Sequence, residues 1–319
     1  MKWTGKKVGL ALGGGGVRGF SHIGVLNVLE EEGLGVDLIV GTSAGALIGA
    51  AYASGQSPRQ IQEKIDAYMR SAEFEESTIK SLGESFFGEK KNFFQKAQTF
   101  IKNRMLFVQA FYKSSILPAD DFQALISFFL PDIDISETRV PLRVVSTDLL
   151  TGKRVVLDRG PMRQAVWASC AVPGALAPIR YGEWLLADGG ITSLVPVHAA
   201  REAGADVVIA VTVDRELQTD VTIETAKDVL IRAGEITSDA LEESELAAAD
   251  VVIRPKVGHL HWMDFTKSAD LVKIGEQATR ESLPQIIKSL PADRKISRWA
   301  ARWMKYVKTK SFVKNLFIF

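Results

Sequence analysis

Twice before Gly55, a short apolar run breaks at glycines and gives way to helical spacing. The first instance is "KVGLAL" followed by Gly13 to Gly16, Arg18 and Gly19. After it, Phe20, Ile23, Val25, Leu26 and Leu29 recur at helix spacing until Gly33. The second is "DLIVG", followed by the small-residue stretch "AGALIGAAYASG". Short apolar runs bounded by turn residues read as buried strands, and the spaced runs after them as helices. "PLRVVSTDLL", "KRVVL", "EWLLADGG", "ADVVIAVTV" and "DVVIRP" read as further strands. Between them, "MRQAVWASCA", "PVHAAREAG" and "ETAKDVLIRAGEITSDALEESELAAA" read as helices. Strands alternating with helices predict an α/β fold, its mostly parallel central sheet covered on both faces.

A chain of 319 residues, 46% hydrophobic, is long enough to bury one large α/β core or two small ones. No apolar run reaches the roughly 18 to 20 residues that span a bilayer. The lysine-preceded apolar run at the N-terminus is too short for a signal sequence and reads as a strand. A single cysteine, Cys170, permits no internal disulfide or cysteine-rich metal site and suits a reducing cytoplasm. No ligand cluster argues for a metal, and none of the chemistry below requires a cofactor.

The net charge of +1 hides an asymmetry. Residues 292–319 hold eight Lys/Arg and one Asp, and residues 86–113 hold six Lys/Arg and one Glu. The rest of the chain therefore carries −11. Wound as a helix, the tail sets Ile296, Trp299, Trp303 and Val307 against Arg298, Arg302, Lys305 and Lys308. Tryptophans opposite cations are the pattern of a helix lying in a lipid interface. The segment 71–118, rich in phenylalanine and lysine, reads as a helical insertion and candidate lid. An anionic membrane accounts for both basic segments. Nucleic acid is not indicated, because no nucleic-acid module accompanies the charge.

Gly14, Gly16 and Gly19 fit the G-x-G-x-x-G spacing of a dinucleotide-binding turn. That reading needs an acid at the C-terminal end of the second strand, whereas Asp37 stands at its N-terminal end. At the C-terminal end stands Gly41-Thr42-Ser43-Ala44-Gly45, a G-x-S-x-G in which a sharp turn lifts the serine above the sheet. The amides of Gly14, Gly15 and Gly16 then fit an oxyanion formed on a carbonyl attacked by Ser43. For the base, Asp188 in "LLADGG" ends a strand at a tight turn made by Gly189 and Gly190, on the same carboxyl edge as Ser43. A partly desolvated carboxylate gains basicity and can take the serine proton directly. The four histidines, His22, His198, His259 and His261, are the other possible bases. Asp148 in "STDLLTG" reads as structural, and Arg18 either steadies the loop or contacts an anionic group.

Taken together, "GGGGVRG", "GTSAG", "DGG", "ASCAVPGALAPI" and "VPVHAAREAGAD" make the chain resemble the patatin-like phospholipase family, in particular its bacterial neuropathy-target-esterase-like members. The resemblance covers about Val8 to Asp214, more loosely to about Pro284. One departure is "ITSLVPV" after the Asp-Gly turn, where many members carry an asparagine. The resemblance implies a three-layer sandwich with a catalytic domain over 5–290 and a basic amphipathic tail over 291–319. It also implies a Ser43–Asp188 dyad without histidine, an oxyanion hole in the glycine loop, and support from Arg18, Gly19, Gly41, Gly45, Gly189 and Gly190. The expected activity is hydrolysis of lipid acyl esters, of phospholipase A or lysophospholipase type, through an acyl-enzyme. The expected location is the inner face of the membrane, peripherally bound from the cytoplasm. Three alternatives stand beside it: an α/β-hydrolase using Ser43 with His259 or His261, a dinucleotide-binding protein, and a non-catalytic membrane-bound regulator. Oligomeric state is not specified by the sequence.

Overall fold

The computed structural model describes residues 5–81, 117–213 and 221–295, except 259, 261–263 and 293, together with 217 and 219. The predicted candidate lid between 82 and 116, the alternative bases His259 and His261, and the tail residues Arg298, Trp299, Arg302, Trp303 and Lys305 lie outside the described residues.

The seven apolar runs form the strands β1 (Val8–Leu12), β2 (Leu38–Thr42), β3 (Leu142–Asp148), β4 (Lys153–Leu157), β6 (Trp184–Asp188), β7 (Val207–Val211) and β8 (Val251–Ile253), and an eighth strand without a sequence expectation is β5 (Ile179–Tyr181). Five of them, in the order β3-β2-β1-β7-β8, are parallel. The remaining three pair antiparallel, so the sheet is mixed, with its parallel character confined to that central set. Short connections cause two of these three pairings, β3 with β4 and β5 with β6. Parallel neighbours need a crossover, and the few residues between β3 and β4, and between β5 and β6, allow only a hairpin.

The helices are α1 (Ser21–Glu31), α2 (Ala44–Ala53), α3 (Pro58–Tyr68), α4 (Ala72–Glu75), α5 (Ala119–Phe129), α6 (Met162–Ser169), α7 (Val197–Glu202), α8 (Ala226–Leu246) and α9 (Ser268–Ser289). Side chains alternate across each strand and so build two cores. Leu10, Leu12, Ile39, Val144 and Ile209 face the larger core, under α1, α2, α3, α5, α6 and α9. Ala11, Leu38, Val40, Val145 and Val208 face the smaller one, covered by α7 and the C-terminal end of α8. These are the three predicted layers. Helix α9 had no sequence expectation attached to it, yet it is bound tightly to α1. A Cβ on Gly24 would lie 2.0 Å from Val272 O, and one on Gly275 would lie 1.9 Å from Ser21 O, so only paired glycines allow this approach. The described ends of the predicted insertion are also tied to the larger core, through Phe74, Ile79 and Leu117.

The length of β3 builds the site. Along one side it pairs with β4 from Val144 to Asp148. Its other side is shared. There β2 pairs as far as Thr42 opposite Val145, and β6 takes over with Asp188 opposite Ser146. β2 and β6 therefore meet end to end, their last residues on adjacent rungs of β3. Asp188 does reach the carboxyl edge of β2, but on a strand running against the parallel set rather than with it.

Candidate active site

Ser43 leaves β2 with φ 53° and ψ −122°, the one positive φ at a non-glycine residue among the described residues. Such a conformation costs on the order of 1–3 kcal/mol and persists only where the surroundings enforce it. Here the flanking glycines let the chain close on itself. A Cβ on Gly41 would lie 2.6 Å from Ala46 N, and one on Gly45 would lie 2.2 Å from Leu12 O. Gly19 likewise admits Ala44, whose Cβ would be 2.5 Å away, and Gly189 admits Val145 O at 2.3 Å. Ser43 N–H donates to Ser169 Oγ at 2.8 Å, and Ser169 Oγ donates onward to Val145 O at 2.5 Å. Thr42 Oγ1 donates to Ser193 O at 2.9 Å.

Ser169 escaped the sequence reading, which looked at its neighbour Cys170. Its signal was present in "ASCAVPG": a buried hydroxyl at a helix end must find partners, and here they are the amide of the serine turn and the Val145 carbonyl of β3. Ser169→Ala is expected to lower stability by about 1–3 kcal/mol, because the Ser43 amide is left buried without an acceptor. Thermal melts check this. An unchanged midpoint would show that the bond does not hold the turn.

Asp188 N–H donates to Ala171 O at 2.9 Å, which seats the end of β6. Its Oδ1 accepts from Gly190 N–H at 2.7 Å. Oδ2 is buried and makes no hydrogen bond of normal geometry. Burial pushes the carboxyl from the ordinary 3.8 up to about 6, opposed by the Gly190 amide and by the nearby Ser43 hydroxyl. The hydroxyl is thus close enough to favour the carboxylate without yet bonding to it, as is common in sites without substrate. Burial also pushes the adjoining Cys170 thiol well up, which keeps it protonated and inert.

The glycine loop is fixed from several sides. Gly13 N–H donates to Val211 O at 2.9 Å, and Gly13 O accepts from His22 Nε2 at 2.8 Å. Gly14 N–H donates to Leu194 O at 3.0 Å. This corrects one expectation: the Gly14 amide is spent on the loop's own anchorage and is not offered to an oxyanion. Gly15 and Gly16 open the 3₁₀ turn Gly16–Phe20, where leading amides have no acceptor within the helix. Arg18 is buried, and its Nε donates to Gly15 O at 3.2 Å. In a trans peptide, holding that carbonyl turns the Gly16 N–H the opposite way.

The described histidines are placed elsewhere. His22 is buried with its ring bonded to Gly13 O, and burial lowers its pKa from 6.5 to about 4. It is a neutral strut of the loop. His198 is exposed on α7. Asp148 accepts from Thr151 Oγ1, Leu150 N–H and Leu185 N–H, chiefly the first of which lowers its pKa, and so it is structural. Asp37 caps the start of β1 by accepting from Val8 N–H and pairs with Arg294, far from any place a ribose would occupy on the glycine loop.

Two cavities meet at Ser43, Gly16 and Val172. One is apolar, lined among others by Phe20, Leu47, Met69, Phe122, Leu125 and Leu176. The other is more polar than the first and more open, bringing together Gly14, Gly15, Gly16, Arg18, Ser43, Asp188 and Gly190. Among the described residues no group of His, Cys, Asp and Glu is spaced to hold a metal ion.

Residues 10–201 match the family model described as patatin-like phospholipase. The chain belongs to the patatin-like phospholipase family. It is 32% identical over 225 residues to an uncharacterized NTE family protein of Mycobacterium tuberculosis, covering 68% of this chain and 54% of that one. It is also 32% identical over 222 residues to human patatin-like phospholipase domain-containing protein 6, covering 69% of this chain but 14% of that one. Lysophospholipase NTE1 of Candida glabrata is 26% identical over 297 residues, covering 85% of this chain and 16% of that one. The chain thus spans about half the length of its mycobacterial relatives and a small part of the eukaryotic ones. Among solved structures, VipD from Legionella pneumophila aligns at a TM-score of 0.44 and 15% identity, over 88% of this chain and 67% of that one.

Proposed function

We propose that this chain hydrolyses acyl esters of lipids with Ser43 as nucleophile and Asp188 as its base. One observation carries the reading: a strained, buried serine adjoins a buried carboxyl whose basicity is raised, at the junction of an apolar cavity and a more polar one. The apolar cavity takes the acyl chain, and the polar one takes the alcohol and head group. Oδ2 of Asp188 receives the Ser43 proton while Oγ attacks the ester carbonyl. The oxyanion is stabilised by the amides of Gly15 and Gly16, which approach without side chains in the way. The proton passes to the leaving alcohol, and the acyl-enzyme remains. Water then gives its proton to Asp188 and attacks the acyl carbonyl, releasing fatty acid as the proton returns to Ser43. Membership of the patatin-like phospholipase family and the lysophospholipase relative support this substrate class.

The two basic segments, on a body carrying −11, further support peripheral attachment to the anionic inner face of the cytoplasmic membrane. No helix among the described residues is long and apolar enough to cross a membrane.

To test the reading, wild type, Ser43→Ala and Asp188→Asn are incubated with a mixed lipid extract and released fatty acids are identified. Release by wild type alone is expected, and a variant with His259 and His261 both changed to alanine is expected to match it. Equal release by all chains, or none by wild type, would overturn the assignment.

Arg18 provides a finer check. With Arg18→Met the Gly15 carbonyl loses its anchor, so the Gly16 amide is no longer aimed. A fall in kcat of about 10–100-fold with little change in KM is expected, because an oxyanion donor acts in the transition state. A rise in KM at constant kcat would instead make Arg18 a contact for the substrate's head group.

A further inference from the structure

Helix α8 is turned the wrong way round for a helix of a water-soluble domain. A surface helix ordinarily buries its apolar face and gives its polar face to water. In the first half of α8 the polar stripe of Asp228, Arg232, Glu235 and Asp239 is half-buried, with Arg232 and Glu235 paired at 3.1 Å. The apolar side chains point to solvent: Val229 is 55% exposed, Leu230 74%, Ile231 53% and Ile236 51%. Val221 and Ile223, just ahead of the helix, are 41% and 48% exposed. The same helix also reaches the site, since Gly234, Thr237, Ser238 and Leu241 line the polar cavity that holds Ser43 and Asp188.

From this placement we infer that the N-terminal half of α8 is a lipid-docking element that sinks into a bilayer surface and sets the mouth of the polar cavity against it. Two features select lipid over a protein groove. Val229, Leu230 and Ile231 are consecutive, so at about 100° each they cover more than half of the helix circumference. A groove contacts one stripe of a helix, whereas acyl chains surround whatever enters them. The exposed apolar residues also lie within about two to three turns of Gly234, Thr237, Ser238 and Leu241 on the same helix, so a lipid leaving the bilayer along α8 meets the mouth of the cavity that holds Ser43. The inference rests on the reading of the chain as a lipid ester hydrolase, but it concerns binding and is measured separately from turnover.

The test uses the full chain, its Leu230→Asp/Ile231→Asp variant, and Ser43→Ala. Co-sedimentation with vesicles of phosphatidylcholine mixed with phosphatidylglycerol is measured alongside hydrolysis of a water-soluble, monomeric short-chain ester. Each buried aliphatic side chain is worth roughly tenfold in partitioning, so the paired change is expected to weaken vesicle binding by about a hundredfold. Its rate on the soluble ester should stay within about twofold, because neither side chain lines the cavity. Ser43→Ala is expected to bind vesicles as wild type does.

Leu230→Trp supplies a second measurement without added charge. Its emission, relative to wild type, should shift to the blue when vesicles are added. Wild-type binding that the paired change leaves intact would overturn the inference. So would a wild type that ignores vesicles, or one that runs as a dimer broken by the paired change, in which case a second copy covers α8. A wild type that binds vesicles through α8 yet cleaves no ester would sink the catalytic reading and leave this one standing.

Discussion

Ser43→Ala is expected to lower kcat/KM for ester hydrolysis by about four orders of magnitude or more, the scale seen when a catalytic nucleophile is removed. The fold should survive. The alanine variant keeps the backbone amide that donates to Ser169 Oγ, and the flanking glycines still permit the turn. What alanine does not remove is the positive φ of 53°, which any side chain with a Cβ must tolerate. Ser43→Gly should be equally inactive but more stable than Ser43→Ala, by on the order of 1 kcal/mol, because glycine relieves that strain. Activity assays and thermal melts of the two variants separate the parts. Loss of activity with equal melting points would show that the turn is not strained. Retained activity would show that Ser43 is not the nucleophile.

Asp188→Asn carries the second large effect, with two consequences of opposite sign. Activity should fall by about three orders of magnitude or more, since an amide cannot accept the serine proton. Stability should rise at neutral pH. The Asp188 carboxyl is raised from 3.8 to about 6 by burial, so the folded chain binds this proton more readily than the unfolded chain does. Its contribution is therefore fully present below 3.8 and is lost as pH rises through about 6. Above pH 7 the buried, ionised carboxylate costs about 3 kcal/mol, from roughly 2 pKa shift at 1.36 kcal/mol each. Asparagine keeps an oxygen for the Gly190 amide and carries no charge, so it should recover much of that cost. The gain is expected above pH 7 and absent below pH 4. In wild type, kcat/KM should rise with pH through an inflection near 6 and then level. A flat profile, or an Asp188→Asn chain less stable at pH 8, would contradict a buried carboxylate held there for its basicity.

These expectations depend on a junction that the sequence disclosed only in its parts. Seven of the eight strands were readable because apolar residues were bounded by glycine, proline or aspartate, whereas the three residues Ile179–Tyr181 of β5 formed no apolar run to read. The serine turn was readable because Gly41 and Gly45 flank Ser43 at a strand-to-helix boundary. The direction of β6 was not readable. A five-residue apolar run looks the same whichever way it points, and its partner was fixed by the extra length of β3 beyond Thr42. The bond of the Gly14 amide to Leu194 O was hidden for the same reason, since its acceptor lies 180 residues away in a segment with no motif of its own. Ser169 passed unnoticed because one hydroxyl among small residues gives no periodic signal. Helix α9 contains Pro284 near its C-terminal end and Gly275, residue types that disfavour a helix interior, and Gly275 is explained only by its close approach to Ser21 of α1.

The central claim is that Ser43 is activated by Asp188 without a histidine. It is tested most directly by labelling with a fluorophosphonate and locating the adduct by peptide mass spectrometry. The adduct should fall on Ser43, form with a pH dependence centred near 6, and slow by at least about a hundredfold in Asp188→Asn. It should form undiminished when His259 and His261 are both replaced. An adduct on another residue, or labelling that ignores Asp188 and fails without a histidine, would contradict the dyad.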